Sequence, residues 1–183
     1  MFPTVDESGR IIPQLAVLRH NAAMSDLPCN DLPIGIFDSG VGGLTVLKAL
    51  HETMPHENLV YLGDTARLPY GTKSPASISR YACQATALLQ GRNIKLLVVA
   101  CNTASAVALD ALREQMDPLP VIGVVEPGAS AAVTARPGGR HLVLATEATV
   151  RLGAYRNALL SMDAGAIVTE QACELLVALA EEG

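Results

Sequence analysis

The sequence predicts an α/β fold: a mostly parallel sheet flanked by helices. Three observations carry this expectation. Short apolar runs alternate with helix-forming segments from residue 33 onward. Runs such as Ile34-Gly35-Ile36-Phe37 and Ile94 to Ala100 are apolar through and through rather than at every second residue, as strands covered on both faces are. Half of the 183 residues are hydrophobic, which suits a chain with a substantial core.

The elements follow in order. A first strand is expected over 34–37. The helix over 42–54 has Leu44, Leu47, Ala49 and Leu50 near helical spacing. Strand 58–62 precedes helix 77–89, with Ser74 as N-cap and Pro75 at the first helical position. Strand 95–100 runs into helix 104–112, and strand 120–125 into helix 127–134. Strand 141–144, helix 149–160 and a sixth strand over 166–169 follow. An apolar segment then closes the chain as a terminal helix or leaves the architecture unfinished. Residues 1–32 contain Pro3, Pro13 and Pro28 and no sustained period, so they are expected to be a flexible extension. The expected domains are 33–118 and 119–183.

Charge and composition narrow the function. Lys and Arg number 13 against 18 Asp and Glu and are scattered singly, so no basic stripe exists for nucleic acid. Aromatic residues make up 3%, too few for a base-stacking platform. No apolar run approaches the roughly 18–20 residues of a membrane-spanning helix. The first thirty residues carry Asp6, Glu7 and Arg10 and make a poor secretory signal. Cysteines 29, 83, 101 and 173 form no Cys-x-x-Cys pair, so neither a disulfide framework nor a zinc site is indicated. A cytoplasmic protein with free thiols is the expectation. Histidines 20, 51, 56 and 141 stand alone, and no metal is expected. Gly-x-Ser-x-Gly is absent.

Ligands of such sheets sit at the carboxyl ends of strands, and three loops there carry chemistry. Asp38-Ser39-Gly40-Val41-Gly42-Gly43 follows the first strand. It matches neither a Walker A loop nor a dinucleotide fingerprint. Two readings stand: a site for a small zwitterion, with Asp38 facing an ammonium and backbone amides facing a carboxylate, or a tight turn capped by Asp38. Gly63-Asp64-Thr65-Ala66-Arg67-Leu68-Pro69-Tyr70-Gly71 follows the second strand. Tyr70 offers a hydroxyl and Gly71 an accessible amide, while Asp64 and Arg67 are expected to pair and pin the loop. Cys101, followed by Asn102 and Thr103, ends the third strand where a helix begins. Helix N–H groups and the helix dipole are expected to stabilise its thiolate.

Together these loops resemble the glutamate racemases of the aspartate/glutamate racemase superfamily. The matching text is 35–46, Gly63-Asp64-Thr65 with 69–73, and Ala100-Cys101-Asn102-Thr103-Ala104-Ser105-Ala106. Further matches are Val121-Ile122-Gly123-Val124 with Glu126-Pro127-Gly128, Ala148-Thr149 with Ala154-Tyr155, and Cys173 with Glu181 and Gly183. The resemblance implies two pseudo-symmetric α/β domains, the second half incomplete here, with the active site between them. It implies racemisation of glutamate without cofactor, supplying D-glutamate for peptidoglycan. One cysteine takes the Cα proton and a second returns one to the opposite face. By motif, Cys101 is a catalytic acid/base and Asp38 assists it. Ser39, Tyr70, Gly71, Asn102, Thr103 and Thr149 contact substrate, and Glu181 assists the second cysteine.

The chain departs from the pattern at one important place: the Gly-Cys-Thr-His motif bearing the second cysteine does not occur in it. Cys173 matches a structural position instead. Smaller departures are Glu174 and Ala178 for prolines, Leu152 for serine and Ala145 for glycine. The chain as given is therefore expected to be an impaired racemase; the alternative is a non-catalytic amino-acid-binding or regulatory module. The expected partner is glutamate, with no nucleic acid, no membrane and homo-oligomerisation left open.

Overall fold

A computed structural model describes residues 31–182 and three short segments before them, with side chains described for residues 31–177 and 179. The early segments are β1 (Thr4–Val5), β2 (Ile11–Ile12) and β3 (Gln14–Leu18). β1 and β2 pair antiparallel. β3 adds antiparallel to the edge of the main sheet, from Gln14 opposite Gly63 to Leu18 opposite Leu59. Part of the extension expected to be flexible thus contributes an edge strand; five residues are too few to reveal a period amid prolines. Residues 1–3, 6–10, 13 and 19–30 lie outside the described residues.

The main sheet has the order β3-β5-β4-β6-β7. β4 (Ile34–Asp38), β5 (Leu59–Gly63), β6 (Leu96–Val99) and β7 (Val121–Gly123) are mutually parallel. Successive side chains of a strand point to opposite faces, and both faces are covered. On one, Phe37, Leu62 and Val99 pack with Ile78, Ala82, Ala85 and Leu89 of α2 (Pro75–Gln90), and with Leu112 of α4 (Leu109–Met116). On the other, Ile34, Ile36, Tyr61 and Val98 meet Leu47 of α1 (Leu44–Thr53). The expected cap of α2 is present: Ser74 Oγ accepts the Ser77 N–H at 3.2 Å, with Pro75 next in the chain.

Between α2 and α4 lies α3 (Asn102–Val107); a break at Ala108 divides the single helix expected over 104–112. The expected strand 120–125 ends at Gly123. Val125 already begins α5 (Val125–Ala135), whose first turn accommodates Pro127 because an N–H there has no helical acceptor to lose. The Val124 N–H is taken by Ser105 Oγ at 3.2 Å. β7 belongs to the first sheet, so the expected division at 118/119 falls before that sheet is complete.

The remainder builds a second, two-stranded parallel sheet from β8 (Arg140–Ala145) and β9 (Ile167–Ala172). Ala129 of α5, Leu159 of α7 (Ala154–Met162) and Val168 form its small core, with Val143 packed against it. The helix expected over 149–160 is two: α6 (Glu147–Arg151) and α7, separated at Gly153, whose φ of +60° suits glycine. α8 (Glu174–Glu182) is the last described element. Parallel sheets with flanking helices match the expected fold class.

Candidate active site

Strand register builds the site. Phe37 lies opposite Val99 in the β4–β6 pair, and Asp38 opposite Gly63 in the β4–β5 pair. Three strand ends and the loops that follow them therefore emerge at one edge. Two backbone bonds fasten this edge: the Ala100 N–H to the Phe37 carbonyl at 2.8 Å, and the Asp64 N–H to the Asp38 carbonyl at 2.9 Å.

Cys101 leaves β6 at this edge and starts α3. Its Sγ accepts the Ala104 N–H at 3.3 Å and its thiol donates to Ser39 Oγ at 3.2 Å. The side chain is buried. The expected stabilised thiolate is not what this surrounding produces. Burial, followed by the negative charge of Asp38, pushes the Cys101 thiol up to about 11, against hydrogen bonds from the Ser39 hydroxyl and from the Ala104 and Ser39 backbone N–H groups, which favour the anion. A helix start was legible in the sequence; the depth of the sulfur and its distance from solvent were not.

Asp38 is itself buried, and its Oδ2 accepts the N–H groups of Gly40 at 2.9 Å and Gly43 at 3.1 Å. The turn-capping reading of this loop is thus realised. Those two amides bind the protein's own carboxylate and are not offered to a ligand's. Gly43 is required for this closeness: a Cβ there would lie 2.6 Å from Asp38 Cβ.

The loop after β5 is pinned as expected. Arg67 Nε sits 2.8 Å from Asp64 Oδ2, and Arg67 Nη1 donates to Gln84 Oε1 at 2.8 Å. Asp64 is fully buried and also accepts the Tyr70 hydroxyl at 2.6 Å. Burial, then this bond to Asp64, raises the Tyr70 pKa, so the phenol is a fixed donor within the loop. Tyr70 is 1% exposed, packed between Phe37 and Tyr81, and its hydroxyl points to Asp64 rather than outward. Gly71, also buried, touches the second half: a Cβ on it would lie 2.6 Å from Cβ of Thr146.

Thr146 has no role in the sequence reading, yet it joins three candidate residues. Its Oγ1 lies 2.9 Å from Thr103 Oγ1 and 3.1 Å from Thr149 Oγ1, and accepts the Thr149 N–H at 3.4 Å. Thr103 and Thr149 are buried, and this hydroxyl is the partner of both, reaching Thr103 across the two halves. The available signal was a threonine three residues before another at a helix start, the pattern of an N-cap. Tyr155, part of the motif match but given no role there, is the second such residue: its hydroxyl donates to Asn102 Oδ1 at 2.5 Å.

A cavity of about 810 Å³ opens beside this edge, lined by Gly42, Asn102, Thr146 and Tyr155 and extending over Leu142 and Leu144 of β8. Cys173 also lines it. Glu181 lies in α8, with its side chain outside the described set. The structure thus brings together Asp38, Ser39, Cys101, Gly71, Asn102, Thr103 and Thr149. Among the described residues no cluster of three His, Cys, Asp or Glu side chains suits a metal ion, and no helix is long and apolar enough to cross a membrane.

Comparison with known proteins agrees with this architecture. The family model described as Asp/Glu/Hydantoin racemase matches residues 35–183. A glutamate racemase of Geobacter metallireducens is 53% identical over 150 residues, covering 82% of this chain and 55% of that protein. One from Aquifex aeolicus is 51% identical over 152 residues, covering 83% and 59%. The crystal structure of glutamate racemase from Francisella tularensis in complex with D-glutamate superposes with a TM-score of 0.79 at 40% identity, covering 84% of this chain and 57% of that one. The chain therefore spans a little over half the length of the relatives it matches. By these matches, and by a sheet edge that gathers all three characteristic loops, the chain belongs to the Asp/Glu/hydantoin racemase family.

Proposed function

We propose that this site binds glutamate and moves its Cα proton through Cys101 without a cofactor, one half of the chemistry that supplies D-glutamate for peptidoglycan. The observation that carries the reading is the sulfur: a buried thiol at the end of β6, bonded to Ser39 and within the field of Asp38. The relatives named as glutamate racemases, one holding D-glutamate, support the substrate.

The raised thiol pKa sets the order of events. Burial and the neighbouring negative charge of Asp38 keep the proton on the Cys101 sulfur in the resting site. The sulfur takes the Cα hydrogen once it has given up that proton, with the adjoining Asp38 carboxylate as the acceptor. The electrons of the C–H bond then pass into the substrate carboxylate as an enediolate, and the sulfur becomes a thiol again. Ser39, Asn102, Thr103 and Thr149 supply hydroxyl and amide groups to the substrate, and Gly71 its backbone N–H. Tyr70 acts through its backbone and through the loop it holds, since its hydroxyl is committed to Asp64.

Inversion also needs an acid on the opposite face. The Gly-Cys-Thr-His motif that would bring it is not among these 183 residues, and Cys173, a thiol that lines the cavity, matches a structural position of the family instead. The chain by itself then returns a proton to the face it came from. D- and L-glutamate incubated separately in heavy water test this by proton NMR. The expected result is loss of the Cα–H signal for one enantiomer with its configuration kept, abolished by Cys101→Ser. Fast inversion overturns the one-faced mechanism, and no exchange with either enantiomer overturns the catalytic reading.

One observation favours a non-catalytic binding module: Cys101 serves structurally as the cap of α3. Glutamate binding unchanged in Cys101→Ser, without exchange in the parent chain, selects that reading.

A further inference from the structure

We propose that Tyr155 is a positioning residue that fixes the polarity of the Asn102 amide toward the cleft. The inference rests on the reading of the cleft as a glutamate site and adds how its anion is recognised. Asn102 opens α3 in the first half, and Tyr155 lies in the first turn of α7 in the second. The tyrosine hydroxyl donates to Asn102 Oδ1 at 2.5 Å, a contact between residues 53 apart in sequence. Both side chains line the same cavity.

An asparagine side chain has one acceptor oxygen and an NH₂ with two donor hydrogens. With the oxygen occupied by Tyr155, the group left for a ligand is the NH₂. A donor pair facing the cleft suits a carboxylate, which only accepts, and the resulting bond is charge-assisted. Without the phenol, the amide is free to turn over and present its oxygen, which repels a carboxylate and welcomes an amide ligand. The ring is held for this task. A Cβ on Gly128 of α5 would lie 3.2 Å from Tyr155 Cε1 and 3.3 Å from its hydroxyl, so only a bare glycine lets the ring lie against that helix unhindered. Burial also raises the Tyr155 pKa, which keeps its proton available for donation.

The test is calorimetry on the 183-residue chain with D- and L-glutamate, glutamine and isoglutamine. Tyr155→Phe is expected to weaken glutamate about tenfold, roughly the value of one well-made polar contact. Binding of the amide that replaces the recognised carboxylate falls far less, so the preference for the anion shrinks. In an Asn102→Ala background the same change has no further effect, the signature of action through the asparagine. Gly128→Ala, which displaces the ring without removing the hydroxyl and keeps a good helix former in α5, is expected to shift the preference in the same direction. An equal loss for glutamate and both amides, or an undiminished effect in the Asn102→Ala background, overturns the inference. So does an unchanged preference in both Tyr155→Phe and Gly128→Ala while the parent chain binds glutamate. If the parent chain binds no glutamate, the reading of the site falls and the inference with it.

Discussion

Replacing Asp38 with asparagine lowers the pKa of the Cys101 thiol. In the parent chain that thiol is held up to about 11, first by burial and second by the Asp38 charge. Asp38→Asn removes the second cause and leaves the first, so the titration moves down but stays above the ordinary 9.0. The shift also has a stability consequence. A thiol titrating near 11 when folded and near 9.0 when unfolded favours the folded state fully below pH 9 and loses that contribution as pH rises to 11. Two units at 1.36 kcal/mol each amount to about 3 kcal/mol. The assay is thiolate absorbance against pH, taken as the difference from Cys101→Ala so that the other cysteines and the tyrosines cancel. Denaturant melts of the same pair at pH 8 and pH 11 give the stability half. A parent thiol that titrates at or below 9, or an upward movement in Asp38→Asn, would refute the reasoning that burial and the Asp38 charge hold this thiol up.

Three further outcomes follow from the packing. Thr146→Val strands the buried hydroxyls of Thr103 and Thr149 and is expected to cost about 1–3 kcal/mol, with Thr146→Ser milder, as read from urea midpoints. Arg67→Met leaves the fully buried Asp64 carboxylate without its cation, an expected loss of about 3 kcal/mol; it should also reduce glutamate affinity, because Tyr70 and Gly71 ride on the same loop. Leu142 is 63% exposed and Leu144 55%, and with Ile167 they give the second sheet a wet apolar face. Sedimentation should report self-association that Leu142→Thr with Leu144→Thr diminishes; a monomer at all concentrations would count against it.

The strands of the first sheet were legible because burial on both faces writes itself as uninterrupted apolar text at 34–37 and 96–99. The loops were legible because glycines and a lone cysteine at strand ends have few other uses. What stayed hidden depends on contacts between distant segments. Val124 and Val125 read as strand by composition, yet Ser105 takes the Val124 N–H and a helix begins. Gly153 sits inside an amphipathic pattern whose period gives no sign of a left-handed turn. Thr146 and Tyr155 gain meaning only when the second half meets α3. The Cys101 pKa was expected in the wrong direction because spacing reveals a helix start, whereas desolvation belongs to the packed site.

The central claim is that one sulfur at the edge of a parallel sheet faces the reacting carbon of glutamate. A crystal structure of this chain with glutamate bound measures it directly. The account predicts the Cys101 sulfur about 3–3.5 Å from Cα, the spacing of a poised proton transfer, with Asn102 and Thr103 on a substrate carboxylate. Glutamate seated elsewhere in the cavity, with that sulfur still sealed behind Ser39 and out of reach of Cα, would contradict it.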